Sequence, residues 1–373
     1  HLCVPGRGLS GHPHLVAVGS FLNIVAPPWA TTGFACHLVV DGVPIKTSGY
    51  RWMPGEFQSE GLLPSGVRAS CVISPIVTQR GLIEAISLNN PTDHSVRLTV
   101  ALTLSGEFAD VPKNKWTYGA VTRKAPPGAA NSVEWTAVKW RRDPATPRVM
   151  MATGARGVLL AASDLPVPVP DGGEGTAEIT LAPGEVRIFS LVIAIGETTE
   201  AKALIRAHAS SAAEGIAANR RHWAQRVEEL YRRVPTLSSS SSELVDFYDR
   251  SLLSYLVGRW DGPDFATQPY FSTSGLDGGA LCLYAWDYSY TAMLNPLVHP
   301  ESDRAIIELL LKAGLFHNYA VLPFDGKPSG PWYAYNHYAI TQLIYYYVLH
   351  TGDRDFLAER VNGRTVLEWA REH

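Results

Sequence analysis

In the first half of the chain, apolar and polar residues alternate with a period of two. The clearest run, Ser95-Val-Arg-Leu-Thr-Val-Ala-Leu-Thr-Leu104, suits a strand with one face in a core and the other in water. Similar β-branched runs stand at His37–Val40 before Asp41-Gly42, at Val96–Leu104 after Asn89-Asn90-Pro91, and at Glu185–Ile195 after Ala182-Pro183-Gly184. Many short strands bounded by Gly, Pro, Asn and Asp turns predict an antiparallel β-sandwich over residues 1–197.

The pattern changes near Glu197. Residues 198–233 are rich in Ala, Glu and Arg, with Ile216, Trp223, Val227, Leu230 and Tyr231 at helical spacing. They predict a helical linker over 198–242, ended by Pro235 and a five-serine loop whose last serine caps the next helix. Further helices are expected near 243–259, 284–296, 301–317, 334–351 and 354–372. Pro300 precedes the third, Gly352 ends the fourth, and Asp353 is placed to cap the fifth. Ile306, Ile307, Leu310, Leu311 and Leu315 in the third, and Ile340, Leu343, Ile344, Tyr347 and Val348 in the fourth, predict helices buried among other helices. The fold class is therefore multi-domain, β then α.

Composition narrows the function classes. With 46% hydrophobic and 18% charged residues in 373, the chain can build large cores. A net charge of -3 gives no electrostatic reason to expect nucleic acid or an anionic membrane as partner, and no apolar run is long enough to predict a membrane span. Cys3, Cys36, Cys71 and Cys282 are far apart and form no CxxC pair. They read as free thiols of a reducing compartment, which favours the cytoplasm, with a disulfide among the first three left open. The chain starts at His1 and stops inside an expected helix, so it reads as part of a longer protein.

The chemistry concentrates late. Residues 255–350 hold 19 of the 37 Phe, Trp and Tyr residues, many of them in loops, and aromatic faces stack on the C–H faces of sugars. Between Tyr270 and Tyr290 a Gly-rich loop with Asp277 leads to Asp287, flanked by Tyr284, Trp286, Tyr288 and Tyr290. Desolvation among those rings raises a carboxyl's pKa, as a general acid near neutral pH requires, whereas a helix N-terminus lowers it. Capping the helix is the competing role for Asp287. Asp277 sits in a turn sequence and is a second carboxylate for sugar hydroxyls. His337 is the one histidine inside the aromatic cluster. No HExxH, Walker A or GxSxG motif is present, and the His12/His14 pair has no carboxylate or cysteine nearby, so neither metal nor cofactor is expected.

Ala285-Trp286-Asp287-Tyr288-Ser289-Tyr290 resembles the Trp-Asp motif of inverting glycosidases with an (α/α)6 barrel, namely trehalases, glycoside hydrolase family 63 α-glucosidases and bacterial sugar-glycerate hydrolases. Gly330-Pro331-Trp332, Tyr345-Tyr346-Tyr347 and His350-Thr351-Gly352-Asp353-Arg354-Asp355-Phe356-Leu357 are similar to the substrate loop, inner helix and "TGD…FL" turn of those families. Leu104-Ser-Gly-Glu-Phe-Ala-Asp-Val111 is similar to a "FAD" signature in the β-sandwich of glycogen-debranching-like proteins. The resemblance implies that residues 243–373 form the first part of an (α/α)6 toroid. It implies Asp287 as general acid, a catalytic base late in the barrel beyond residue 373, and a glycoside or oligosaccharide as partner. Asp277, Tyr284, Trp286, Tyr288, Trp332, Tyr333, Tyr335 and His337 would shape the sugar subsite. A polysaccharide lyase or phosphorylase on the same toroid, or a non-catalytic carbohydrate-binding protein, are the alternative readings.

Overall fold

The computed structural model describes residues 17–116, 132–143, 146–165, 175–273, 281–314 and 317–372. Cys3, the His12/His14 pair, Asp277 and Leu315 lie outside them. The chain forms two compact units, His1–Val111 with Glu134–Trp223, and Pro112–Val133 with Ala224–His373.

Among the described residues the first unit has fifteen strands, all paired antiparallel. In chain order they are β1 (Phe21–Leu22), β2 (Val25–Ala26), β3 (Trp29–Val40), β4 (Val43–Pro44), β5 (Thr47–Met53), β6 (Glu56–Leu62), β7 (Arg68–Pro75), β8 (Gly81–Asn89), β9 (Val96–Asp110), β10 (Thr136–Ala137), β11 (Arg141–Asp143), β12 (Thr146–Thr153), β13 (Val158–Ser163), β14 (Gly175–Leu181) and β15 (Val186–Gly196). One sheet runs β1-β3-β9-β10, with β14 on β9 and with β2 and β4 on β3. The other is eight-stranded, β11-β12-β13-β15-β8-β7-β6-β5. The alternation read from the sequence decides what each strand buries. Leu98, Val100 and Leu102 of β9 meet Cys71 and Ile73 of β7, Ile86 and Leu88 of β8, and Leu191 and Ile193 of β15 in one core. The β3–β4 hairpin turns at Asp41-Gly42, with φ of 51° and 79°, which glycine takes without steric cost. Gly106 has a different reason. A Cβ there would lie 2.3 Å from the Phe34 Cα, beside a register shift between Thr32 and Ala35.

Residues 198–233 form two helices, α1 (Thr198–His208) and α2 (Ala212–Arg233). The outer face of the larger sheet is the reason for the first of them. Ile83, Leu160, Val192 and Ala194 need cover, and Ala201, Leu204 and Ile205 of α1 with Ile216 of α2 supply it. Asn219 of α2 donates to the Ser74 hydroxyl at 2.7 Å, and Arg220 forks onto the buried Glu56 at 2.7 and 3.0 Å.

In the second unit α3 (Ser242–Val257) is capped by Ser241, whose hydroxyl accepts from the Leu244 N–H at 3.3 Å. The cap is thus one residue earlier than the last serine of the run. Then come α4 (Ala285–Ser289), α5 (Asn295–Val298), α6 (Pro300–Ala313), α7 (Asn336–Thr351) and α8 (Val366–Glu372). Ile306, Ile307, Leu310 and Leu311 of α6 and Ile340, Leu343, Ile344 and Tyr347 of α7 are buried as expected, while Val348 is half-buried. Gly352 ends α7 with φ of 72°.

Two expected helices differ. The one near 284–296 is broken into α4 and α5. Between them the N–H groups of Tyr290, Thr291 and Ala292 bond three residues back, and Pro296 has no N–H with which to continue the ladder. The one over 354–372 shrinks to α8. Ahead of it lie a 3₁₀ turn (Asp355–Ala358) and a two-stranded hairpin, Arg360–Val361 with Arg364–Thr365. Asn362-Gly363, with φ of 51° and 81°, makes the turn of that hairpin. Asp353 does not cap α8; it stands one residue before the cap position of the 3₁₀ turn and accepts from the Phe356 N–H at 3.2 Å.

Candidate active site around Asp287

The chain reaches Asp287 through a short strand, Leu283–Tyr284, which pairs with Ala320–Val321 and through it with Pro328–Ser329. Its approach is pinned at three points. The Tyr270 hydroxyl donates to the Leu281 carbonyl at 2.7 Å, the Cys282 thiol to the Trp116 carbonyl at 3.5 Å, and the Tyr284 N–H to the Thr273 hydroxyl at 3.0 Å. Trp116 is fully buried and meets Phe324 edge-on at 5.4 Å. Phe324 stacks on Phe265, and Phe265 on Tyr270. An aromatic column thus holds the strand that leads to the acid.

The five-residue α4 then carries Trp286, Asp287 and Tyr288 in three directions. Asp287 lies in the first turn. Tyr284 occupies the cap position, and no side chain caps the helix, so Asp287 does not act as a cap. Its half-buried carboxyl makes no hydrogen bond or ion pair with another described residue, and burial pushes it above its ordinary value.

Trp286, the residue before Asp287, gathers aromatic rings. Trp286 lies 5.3 Å from Tyr333, 5.8 Å from Tyr290 and 6.1 Å from Tyr335. Tyr335 in turn meets Tyr290 at 6.2 Å and Tyr338 at 5.3 Å. Tyr290 and Tyr333 are 66% and 44% exposed, so their faces are open to a ligand. Trp332, 51% exposed, forms a separate edge-on pair with His337 at 6.1 Å. Two of the sequence candidates point elsewhere. Tyr284 is buried in a stack with Tyr319, and Tyr288 is 1% exposed with its hydroxyl donating to Asp303 at 3.0 Å. Both are buried side chains that offer no face to a ligand. Tyr338 joins the cluster without having been singled out in the sequence, and its spacing of three from Tyr335 on α7 is the signal that could have found it.

The two cations nearest the cluster in sequence are engaged. Arg259 pairs with Asp261 at 3.2 Å and approaches the His299 Nε2 at 2.8 Å, and Lys327 pairs with Asp325 at 3.0 Å.

No family model matches the sequence, and no curated protein sequence matches it. Solved structures do match. A protein named as a kojibiose phosphorylase from the human microbiome aligns with a TM-score of 0.55 at 12% identity, over 87% of this chain and 46% of that one. A bacterial glucoamylase in complex with acarbose aligns with a TM-score of 0.50 at 10% identity, over 90% of this chain and 54% of that one. Both have six-hairpin glycosidase-like folds. The chain spans about half the length of each, and at such identities the likeness is one of fold.

Proposed function

We propose that the protein is an inverting glycoside hydrolase acting on an α-glucoside or a similar small glycoside, with Asp287 as its general acid. The observation that carries this reading is a half-buried carboxyl with a raised pKa, without a partner among the described residues and next in the chain to Trp286 of a partly exposed aromatic cluster. A carboxyl whose pKa is raised can give its proton to the glycosidic oxygen as the C1–O bond breaks, and aromatic faces can seat the sugar. Water would attack C1 from the opposite face and lose its proton to a second carboxylate roughly 6.5–9.5 Å away. In this reading residues 243–373 form the first part of an (α/α)6 toroid related to those of trehalases and family 63 glycosidases. The base would come from the remainder of that toroid.

A phosphorylase is the second reading, favoured by the solved structure of that name. The acid step is the same, and phosphate replaces water as the nucleophile. A uronate-cleaving lyase is less well supported, because Arg259 and Lys327 are already paired with carboxylates.

The test is sugar release from a panel of α- and β-glycosides, with and without phosphate, by the full-length gene product and its Asp287→Asn variant. Phosphate-independent release that falls at least about a hundredfold in the variant supports the hydrolase. Release that requires phosphate supports the phosphorylase. Equal activity of a folded variant removes Asp287 from the chemistry, and sugar binding without turnover leaves a binding protein. Since the acid must be protonated, the rate should fall on the alkaline side, at a higher pH than an ordinary aspartate would set.

A further inference from the structure

Beneath the helix that carries Asp287 lies a second carboxyl. Asp303 stands in the first turn of α6, where an acidic residue reads as a solvated complement to the helix terminus. Here it is 1% exposed. Its Oδ1 accepts from the Tyr288 hydroxyl at 3.0 Å, while its Oδ2 is buried with no hydrogen-bond partner among the described residues. The Tyr255 hydroxyl is another buried group without a partner among them, and the Asp303 carboxyl acts on it electrostatically. Phe271 bridges the cluster, 5.1 Å from Tyr255 and 6.0 Å from Tyr288. Burial pushes Asp303 up to about 8, so at neutral pH it is a neutral acid whose Oδ1 still accepts from Tyr288.

A buried carboxyl is a costly way to hold two helices together, since an apolar contact of the same size would serve stability as well or better. What a hydrogen bond adds is direction. The five-residue α4 has no side-chain cap and is far too short to be stable alone. Tertiary contacts therefore set its rotation, and Tyr288 is its buried anchor. Adjacent helical residues project about 100° apart and side-chain tips lie about 5 Å from the axis. A turn of about 15° about that axis would move the Asp287 carboxyl by more than about 1 Å. Displacements of that size cost acid–base catalysis up to about a hundredfold.

We propose that Tyr288 and Asp303 are positioning residues for Asp287: the buried hydrogen bond between them sets the rotation of α4 and so the direction in which Asp287 offers its proton. This rests on the reading of Asp287 as a general acid.

Leaving-group dependence separates positioning from general support. A disaccharide needs its leaving oxygen protonated, whereas a glycosyl fluoride departs without that help. Tyr288→Phe, which keeps the ring and loses only the hydroxyl, should lower kcat on an α-glucosyl disaccharide by about ten- to a hundredfold with KM within about threefold. The same variant should lower turnover of α-glucosyl fluoride by less than about threefold, and that retained activity also shows the site is folded. Asp303→Asn, which can still accept from Tyr288, should keep more disaccharide activity than Asp303→Leu. Equal losses of Tyr288→Phe on both substrates, or no loss on either, would overturn the proposal. If Tyr288→Phe shows the expected loss but Asp287→Asn shows no difference between the substrates, the general-acid reading itself falls and takes this one with it.

Discussion

Replacing Glu84 by Gln should remove a pH-dependent cost from the core of the first unit. Glu84 sits on β8 on the face that carries Leu82, Ile86 and Leu88 between the two sheets, and it is fully buried. Among the described residues its hydrogen-bond partners are two thiols. The Cys71 Sγ–H reaches Oε1 at 3.2 Å and the Cys36 Sγ–H reaches Oε2 at 3.5 Å. Thiols are weak donors, and their bonds do not offset desolvation, which pushes the carboxyl up to about 7 from an ordinary 4.5. Below pH 4.5 folded and unfolded chains both hold the proton, and the pH-dependent cost of Glu84 vanishes. Between 4.5 and about 7 the unfolded chain releases it while the folded chain keeps it, so stability falls as pH rises. Above 7 the full cost is present. At about 1.4 kcal/mol per pH unit that interval amounts to about 3 kcal/mol.

Hydrogen exchange of the β7–β9 segment in both proteins, from pH 4 to 8.5, reports opening of this core separately from the other unit. Glu84→Gln carries no charge, so any constant penalty from its amide cancels when the two proteins are compared across pH. The variant should gain about 3 kcal/mol of protection relative to the parent between the ends of that range. A difference that does not change with pH would refute the reasoning, because it would place the native Glu84 titration near that of the unfolded chain.

Two further outcomes follow from the geometry. Trp286→Ala removes the ring that touches Tyr290, Tyr333 and Tyr335, and should raise KM for the best glycoside roughly tenfold while kcat falls less, as steady-state kinetics would show. Gly106→Ala forces a Cβ to 2.3 Å from the Phe34 Cα at a φ of 136°, and should destabilise the first unit by more than about 2 kcal/mol in urea melts followed by circular dichroism.

Part of the candidate site is legible in the chain because its members are neighbours in sequence. Trp286 and Asp287 stand together, and aromatic density marks the loops around them. Asp303 was not legible. It looks like any acid in a first helical turn, and its partner Tyr288 lies fifteen residues away across a broken helix. Glu84 gave a related problem, since one acid in an otherwise alternating strand does not announce which face it will take. Asn362-Gly363 lies inside the stretch that reads as one helix, and its two left-handed residues turn a hairpin there instead.

The sequence by itself determined the order of elements. Period-two alternation commits Val96–Leu104 to a strand, Asp41-Gly42 to its hairpin turn, and Pro300 and Gly352 to helix ends, because each follows from local sterics or from which face can leave water. Only the tertiary structure decided that α1 covers the outer face of a sheet, that Tyr288 turns inward while Tyr290 faces out, and that burial raises the Asp287 carboxyl. Those outcomes depend on which distant atoms fill the space beside a side chain. Burial and desolvation are properties of that space, and they arise only when the elements come together.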